Sequence, residues 1–87
     1  MSDVVDNAAA GRFELAVDGH LAVAEYHIAD GAIYFTHTET PPALEGRGIG
    51  GRLVRAALES AKARGLKIVP RCSFVAAYQR KHPELQN

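Results

Sequence analysis

Glu45-Gly46-Arg47-Gly48-Ile49-Gly50-Gly51, running directly into Arg52-Leu53-Val54-Arg55-Ala56-Ala57-Leu58-Glu59-Ser60-Ala61, decides how the rest of the chain is read. Glycines at 46, 48, 50 and 51 free the backbone to take positive φ and to approach a ligand with no Cβ in the way. Past the loop, Leu53, Val54, Ala57, Leu58 and Ala61 fall on one helical stripe, with Arg52, Arg55, Glu59 and Lys62 toward water. A helix begins with unpaired N–H groups and the positive end of its dipole, so a phosphate has a place to sit. The competing reading is a glycine-rich turn that only starts a helix. A P-loop would end Gly-Lys-Ser/Thr, whereas Gly50-Gly51 is followed by Arg52-Leu53. Gly46-x-Gly48-x-x-Gly51 matches a bare dinucleotide pattern, but about 20 residues on, where that fold needs an acid, stand Lys67 and Arg71.

Upstream, Phe13, Leu15 and Val17 alternate with polar or small residues, and Asp18-Gly19 closes a strand in a turn. Leu21 to Ile28 is strand-like, with Ala22, Ala24, Tyr26 and Ile28 on one face and Val23, Glu25 and His27 on the other. Asp30-Gly31 is a hairpin turn, and Ala32 to Glu39, aromatic and β-branched, is a third strand ended by Pro41-Pro42. Residues 1–11 read as a disordered, frayed terminus before one domain spanning 12–87. Downstream, Gly65 supplies a left-handed helix end with Leu66 folding back, and Lys67-Ile68-Val69 is a short strand parallel to the third through a right-handed crossover. Ser73 is the expected N-cap of a last helix, Phe74 to His82, with Phe74, Ala77 and Tyr78 facing the sheet and Gln79 and Arg80 outward. The expected fold is α+β, in the order βββαβα: an antiparallel meander, a β-loop-α-β crossover, and a C-terminal helix on a four-stranded mixed sheet.

The acid-or-amide-x-x-Gly-x-Gly pattern, here Glu45 to Gly50, together with Thr36-His37-Thr38-Glu39 before it and Val69-Pro70-Arg71-Cys72-Ser73-Phe74-Val75 after the helix, resembles the GNAT superfamily of N-acetyltransferases. The likeness runs from about Phe13 to Leu85 and is to the minimal stand-alone members, truncated relative to the full fold. It implies acetyl-coenzyme A as cosubstrate and an amine acceptor. By the resemblance, Glu45, Gly46, Arg47, Gly48, Ile49, Gly50 and Gly51 hold the pyrophosphate, with Arg52 adding a charge-assisted contact. Glu45 departs from the Gln or Arg usual there.

Four side chains are candidates for the chemistry. Tyr78, in a helix segment similar to the family's Ala-x-Tyr-x-Lys, is the general acid for the leaving thiolate in many members; otherwise it is packing. Cys72 lies between a strand and a helix N-terminus beside Arg71, where the thiolate is favoured, so it is either an acetyl-accepting nucleophile or a small buried hydrophobe. His37 and Glu39 share a face of the third strand and are candidate bases.

The charge is zero overall, with 10 basic and 10 acidic side chains, which disfavours nucleic acid or an anionic membrane as partner. Nine of the ten basic residues lie at or after Arg47 and eight of the ten acidic ones at or before Glu45, an asymmetry suited to a polyphosphate cosubstrate and a cationic amine. A single cysteine excludes an intrachain disulfide and a cysteine-based metal site, and the scattered histidines give no metal site. With no apolar leader and no membrane-length stretch, the chain reads as soluble and cytoplasmic, monomer or homodimer. The alternative function is a non-catalytic acyl-coenzyme A binding or protein-interaction module of the same fold; a nucleotide-binding regulator is a third.

Overall fold

In a computed structural model, which describes residues 3–87, five strands form one sheet in the order β1-β2-β3-β4-β5. They are β1 Val5–Asn7, β2 Arg12–Val17, β3 His20–Ala29, β4 Ala32–Glu39 and β5 Lys67–Pro70, with α1 Ile49–Ala63 between the last two and α2 Ser73–Lys81 after them. All neighbours are antiparallel except β4 and β5, which are parallel, as a strand-helix-strand crossover requires. The hairpins turn at Asp18-Gly19 (φ 51 and 78) and Asp30-Gly31 (φ 53 and 76). Positive φ at both central residues is the condition for the tight turn that matches strand twist, and Asp-Gly satisfies it at least strain.

The helix end is equally local in origin. Gly65, at φ 71, lets its own N–H reach Lys62 O and the Leu66 N–H reach Ala61 O, each at 3.0 Å, so the last carbonyls of α1 are satisfied. One sheet face and one helix stripe then close on each other. Phe13, Leu15, Ala22, Ala24, Ile33 and Phe35 meet Leu53, Val54, Ala57, Leu58 and Ala61 of α1 and Val75 of α2 in a single core. Among the described residues both α-helices pack into this one core, on one face of the sheet. No helix among the described residues is long and apolar enough to cross a membrane.

The structure corrects the sequence reading at three points. The terminus is not frayed over residues 5–10: Val5, Asp6 and Asn7 pair with Glu14, Phe13 and Arg12, giving a fifth strand. Asn7 Oδ1 accepts from Ala10 N at 3.2 Å, Gly11 turns the chain at φ 67, and the Tyr26 hydroxyl donates to Asp6 at 2.6 Å. Polar side chains and a left-handed glycine, rather than an apolar pattern, dock this segment. Met1 and Ser2, also expected to be disordered, lie outside the described residues.

The second correction concerns α2. Its N-cap is Cys72, Ser73 lies inside the first turn, and no side chain caps the end. The buried stripe is Val75 (0% exposed) and Gln79 (8%), while Phe74 is 44% exposed. A buried glutamine is tolerated because Gln79 Nε2 donates to Leu85 O at 3.0 Å, and Gln86 Nε2 in turn donates to the Gln79 carbonyl at 2.9 Å. Those partners come from the C-terminal segment 83–87, which no pattern within α2 announces.

The third is a β-bulge. Glu25 pairs with His37 but Tyr26 pairs with Phe35, so Thr36 is an extra residue in β4. The sequence reading does not anticipate it; it interrupts the period-2 alternation of the strand, and Thr38 comes to the same helix-covered face as Phe35.

Candidate functional site

β4 and β5 run side by side only from Ala32 and Lys67 to Phe35 and Pro70. Beyond Pro70 the chain leaves for α2 while β4 continues to Glu39, so the two parallel strands part. The last tie between them is Cys72 N–H to Phe35 O, 2.9 Å. The glycine loop lies beside the opening. A pocket of about 400 Å³ lies between Thr38 of β4 and Thr40 just past its end, the residues Glu45, Gly46, Gly48, Ile49, Gly50 and Gly51, and the side chains of Leu44 and Phe74.

The loop geometry follows from its glycines at two positions. Gly46 and Gly48 take φ 78 and 71, the left-handed region, and Gly48 is the N-cap of α1 without any side-chain cap. The first N–H groups of α1, which no intrahelical carbonyl can reach, are therefore left for an external acceptor at the positive end of a fifteen-residue helix. Alternating left-handed and ordinary backbone turns such N–H groups inward into an anion-binding concavity. The two loop cations stand outside it: Arg47 pairs with Asp18 at 2.8 Å and Arg52 with Asp3 at 3.4 Å. Glu45 lines the pocket with an exposed side chain.

Cys72 adjoins the same pocket from the side of α2. Its Sγ lies 3.5 Å from Thr38 Oγ1, and Thr38 lines the cavity. Burial raises the thiol, but hydrogen bonds from the Thr38 hydroxyl and from the Val75 and Phe74 N–H groups outweigh it, leaving Cys72 below the ordinary thiol value. The expected consequence is that alkylation of Cys72 by iodoacetamide, followed against pH, reaches half its maximal rate at a lower pH than a free thiol. Replacing Thr38 with valine moves the midpoint up.

The other candidates are placed elsewhere. His37 and Glu39 pair with Glu25 and Val23, alternate with Thr38, and so lie on the helix-free face, both exposed. They share a face as expected, but across the strand from the pocket. The Tyr78 hydroxyl accepts from Arg55 Nε at 3.3 Å and its ring stacks on His82 at 4.3 Å. Arg55 also reaches Glu84 at 2.9 Å, holding that carboxyl below its usual range. Tyr78 is thus part of a polar clasp between α1, α2 and the C-terminal segment. It does not line the pocket, although its ring fills the space a Cβ on Gly51 would take, at 3.3 Å.

Sequence reading missed Thr38, Thr40, Leu44 and Phe74 as pocket walls. The Thr36 bulge decides which β4 residues face the loop, and bulges leave no compositional mark; the hydrophobicity of Phe74 points it at the sheet. Among the described residues no three His, Cys, Asp or Glu side chains are gathered to hold a metal.

The family model for GCN5-related N-acetyltransferases matches residues 12–87. Among curated proteins, no sequence matches. Among solved structures, the solution NMR structure of a GCN5-like protein from Staphylococcus aureus superposes with a TM-score of 0.73 at 29% identity, over 98% of this chain and 86% of that one. The parting of β4 and β5 beside an uncapped, glycine-rich helix start has a counterpart in sequence over nearly the whole chain, which belongs to the GCN5-related N-acetyltransferase family.

Proposed function

We propose that this acetyltransferase binds acetyl-coenzyme A at the glycine loop and passes the acetyl group through Cys72 to a primary amine of a small molecule, peptide or protein. The observation that carries the reading is the continuity of one pocket from the uncapped N–H groups of α1 to Thr38, 3.5 Å from the Cys72 sulfur. The residues fit the cosubstrate. The unpaired N–H groups at the start of α1 suit a phosphate, and a Cβ at Gly50 would lie 3.0 Å from Phe74 and 3.2 Å from Thr40, so glycine leaves these walls undisplaced.

Cys72, as thiolate, attacks the carbonyl carbon of the thioester. A new C–S bond forms, the bond to the coenzyme sulfur breaks, and the leaving thiolate takes a proton from water. The amine then attacks the acetylated cysteine, the second C–S bond breaks, and the Cys72 thiolate is restored. The proton the amine gives up passes to the hydroxide left when water protonated the coenzyme thiolate, because His37 and Glu39 lie across the strand from the pocket. This route is favoured over direct transfer with Tyr78 as acid because the Tyr78 hydroxyl is engaged by Arg55 and the Cys72 thiol adjoins the pocket. A reducing cytoplasmic setting keeps the thiol free.

The rival is a module that binds acyl-coenzyme A without turnover; it predicts coenzyme A binding that is not lost when Cys72, Tyr78 or His37 is changed. Intact-protein mass spectrometry after mixing with acetyl-coenzyme A separates them. The expected result is a gain of one acetyl group, mapped to Cys72, absent in Cys72→Ala and discharged by amines. A chain that turns over acceptors while never carrying acetyl on Cys72 would overturn the cysteine route, and one that binds but never transfers would establish the rival.

A further inference from the structure

Phe74 is the one large apolar side chain of the pocket that water reaches. Leu44 and Ile49, its apolar neighbours there, are 1% and 3% exposed, whereas Phe74 is 44% exposed. The phase of α2 makes the exposure specific: the next residue, Val75, is fully buried, so the helix turns its smaller apolar side chain into the core and its larger one onto the cavity. Its seat is also shaped for it. An ideal Cβ on Gly50 would lie 3.0 Å from the ring's Cζ, tighter than nine in ten real Cβ contacts, so the ring rests over Gly50 where any other residue would push it aside by a few tenths of an ångström. Gly50 is helical with an ordinary φ, and alanine there would favour the helix, so its backbone conformation gives no reason for glycine. What the missing Cβ provides is the position of the ring.

Resting on the coenzyme A reading above, we propose that Phe74 is the wall against which the pantetheine arm lies, and that it sets the preference for coenzyme A over nucleotides lacking such an arm. The pocket has two chemically distinct ends. Loop N–H groups offer hydrogen bonds to phosphate; past them lie an exposed aromatic face and the Thr38 and Thr40 hydroxyls, which suit a chain of methylenes and amides. A ligand that carries phosphate at one end and a flexible, uncharged, partly apolar arm at the other uses both. Adenine nucleotides use the first, and an adenine ring stacked on Phe74 is the alternative use of the second.

The test is calorimetric titration of the full chain, wild type and Phe74→Ala, with coenzyme A and with adenosine 3′,5′-bisphosphate, which has the adenosine, its 3′-phosphate and the first phosphate of the pyrophosphate but no pantetheine. Removing an aromatic contact of this size is expected to weaken coenzyme A binding by roughly tenfold. The bisphosphate affinity stays within about twofold, and Phe74→Leu keeps most of the coenzyme A affinity because it retains an apolar wall. Gly50→Ala, which pushes on the ring, is expected to weaken coenzyme A binding while the thermal midpoint holds or rises. Parallel loss for both ligands would mean that the ring stacks adenine or merely supports the loop, and would overturn the proposal. So would unchanged coenzyme A binding in Phe74→Ala when the wild type binds it. Failure of the wild type itself to bind coenzyme A would remove the reading on which the proposal rests, a result distinct from either.

Discussion

Gly48→Glu is expected to reduce coenzyme A binding at least about 100-fold while leaving a folded protein. Two effects add. Gly48 is the N-cap of α1 at φ 71, and a residue with a Cβ is strained there by about 1–2 kcal/mol, which tilts the N–H groups it directs. The new carboxylate also stands beside the phosphate site: like charges ~4 Å apart at a protein surface repel by about 4 kcal/mol. Together these exceed the ~2.7 kcal/mol that a hundredfold change requires. Stability changes less, because nothing lies within 4 Å of a Cβ at this position and the strain is the only penalty. Circular dichroism should show native secondary structure with a midpoint about 5–15 °C lower. Gly48→Ala carries the strain without the charge and should fall between the two in affinity.

Phe35→Ala is expected to produce the largest loss of stability of any single truncation, about 3–5 kcal/mol. The ring is 1% exposed and makes edge contact with Tyr26 at 6.3 Å and a tilted contact with Phe13 at 6.3 Å, so its removal leaves a cavity bounded by both. A chain of 87 residues has roughly 4–13 kcal/mol in all, so the variant retains little margin. Urea unfolding should show a midpoint collapsed toward zero denaturant. Function is expected to fall with it, since Phe35 O receives the Cys72 N–H where β4 and β5 part. Ile28→Ala, 41% exposed and two residues nearer the turn of the same hairpin, should change stability by less than about 1 kcal/mol, and equal losses at the two positions would refute the assignment of the core.

What could be read from sequence had local causes. Asp-Gly at 18–19 and 30–31 determines its own backbone, Gly65 and Leu66 close α1 through bonds within six residues, and the bounds Ala32 to Glu39 follow from β-branched and aromatic residues ended by Pro41. Legible for the same reason was the phosphate end of the site, because a run of glycines opening an amphipathic helix carries its function in adjacent residues. The illegible parts depend on distant partners. β1 is three residues long and is held by Tyr26 and by the backbone of β2, not by an apolar pattern. The phase of α2 is set by the C-terminal segment that satisfies Gln79, so Phe74 and Val75 exchange the roles their hydrophobicity alone suggests. The bulge at Thr36 turns Thr38 toward the loop and His37 and Glu39 away, the reverse of what unbroken alternation from Phe35 gives.

The measurement closest to the central claim is titration of the wild-type chain with acetyl-coenzyme A, with ATP and NAD as controls. The account predicts saturable, one-to-one heat with acetyl-coenzyme A, far weaker heat with the nucleotides, and none with acetyl-coenzyme A on Gly48→Glu. A folded wild-type chain that gives no heat with millimolar acetyl-coenzyme A, or that binds ATP and NAD equally well, would contradict it.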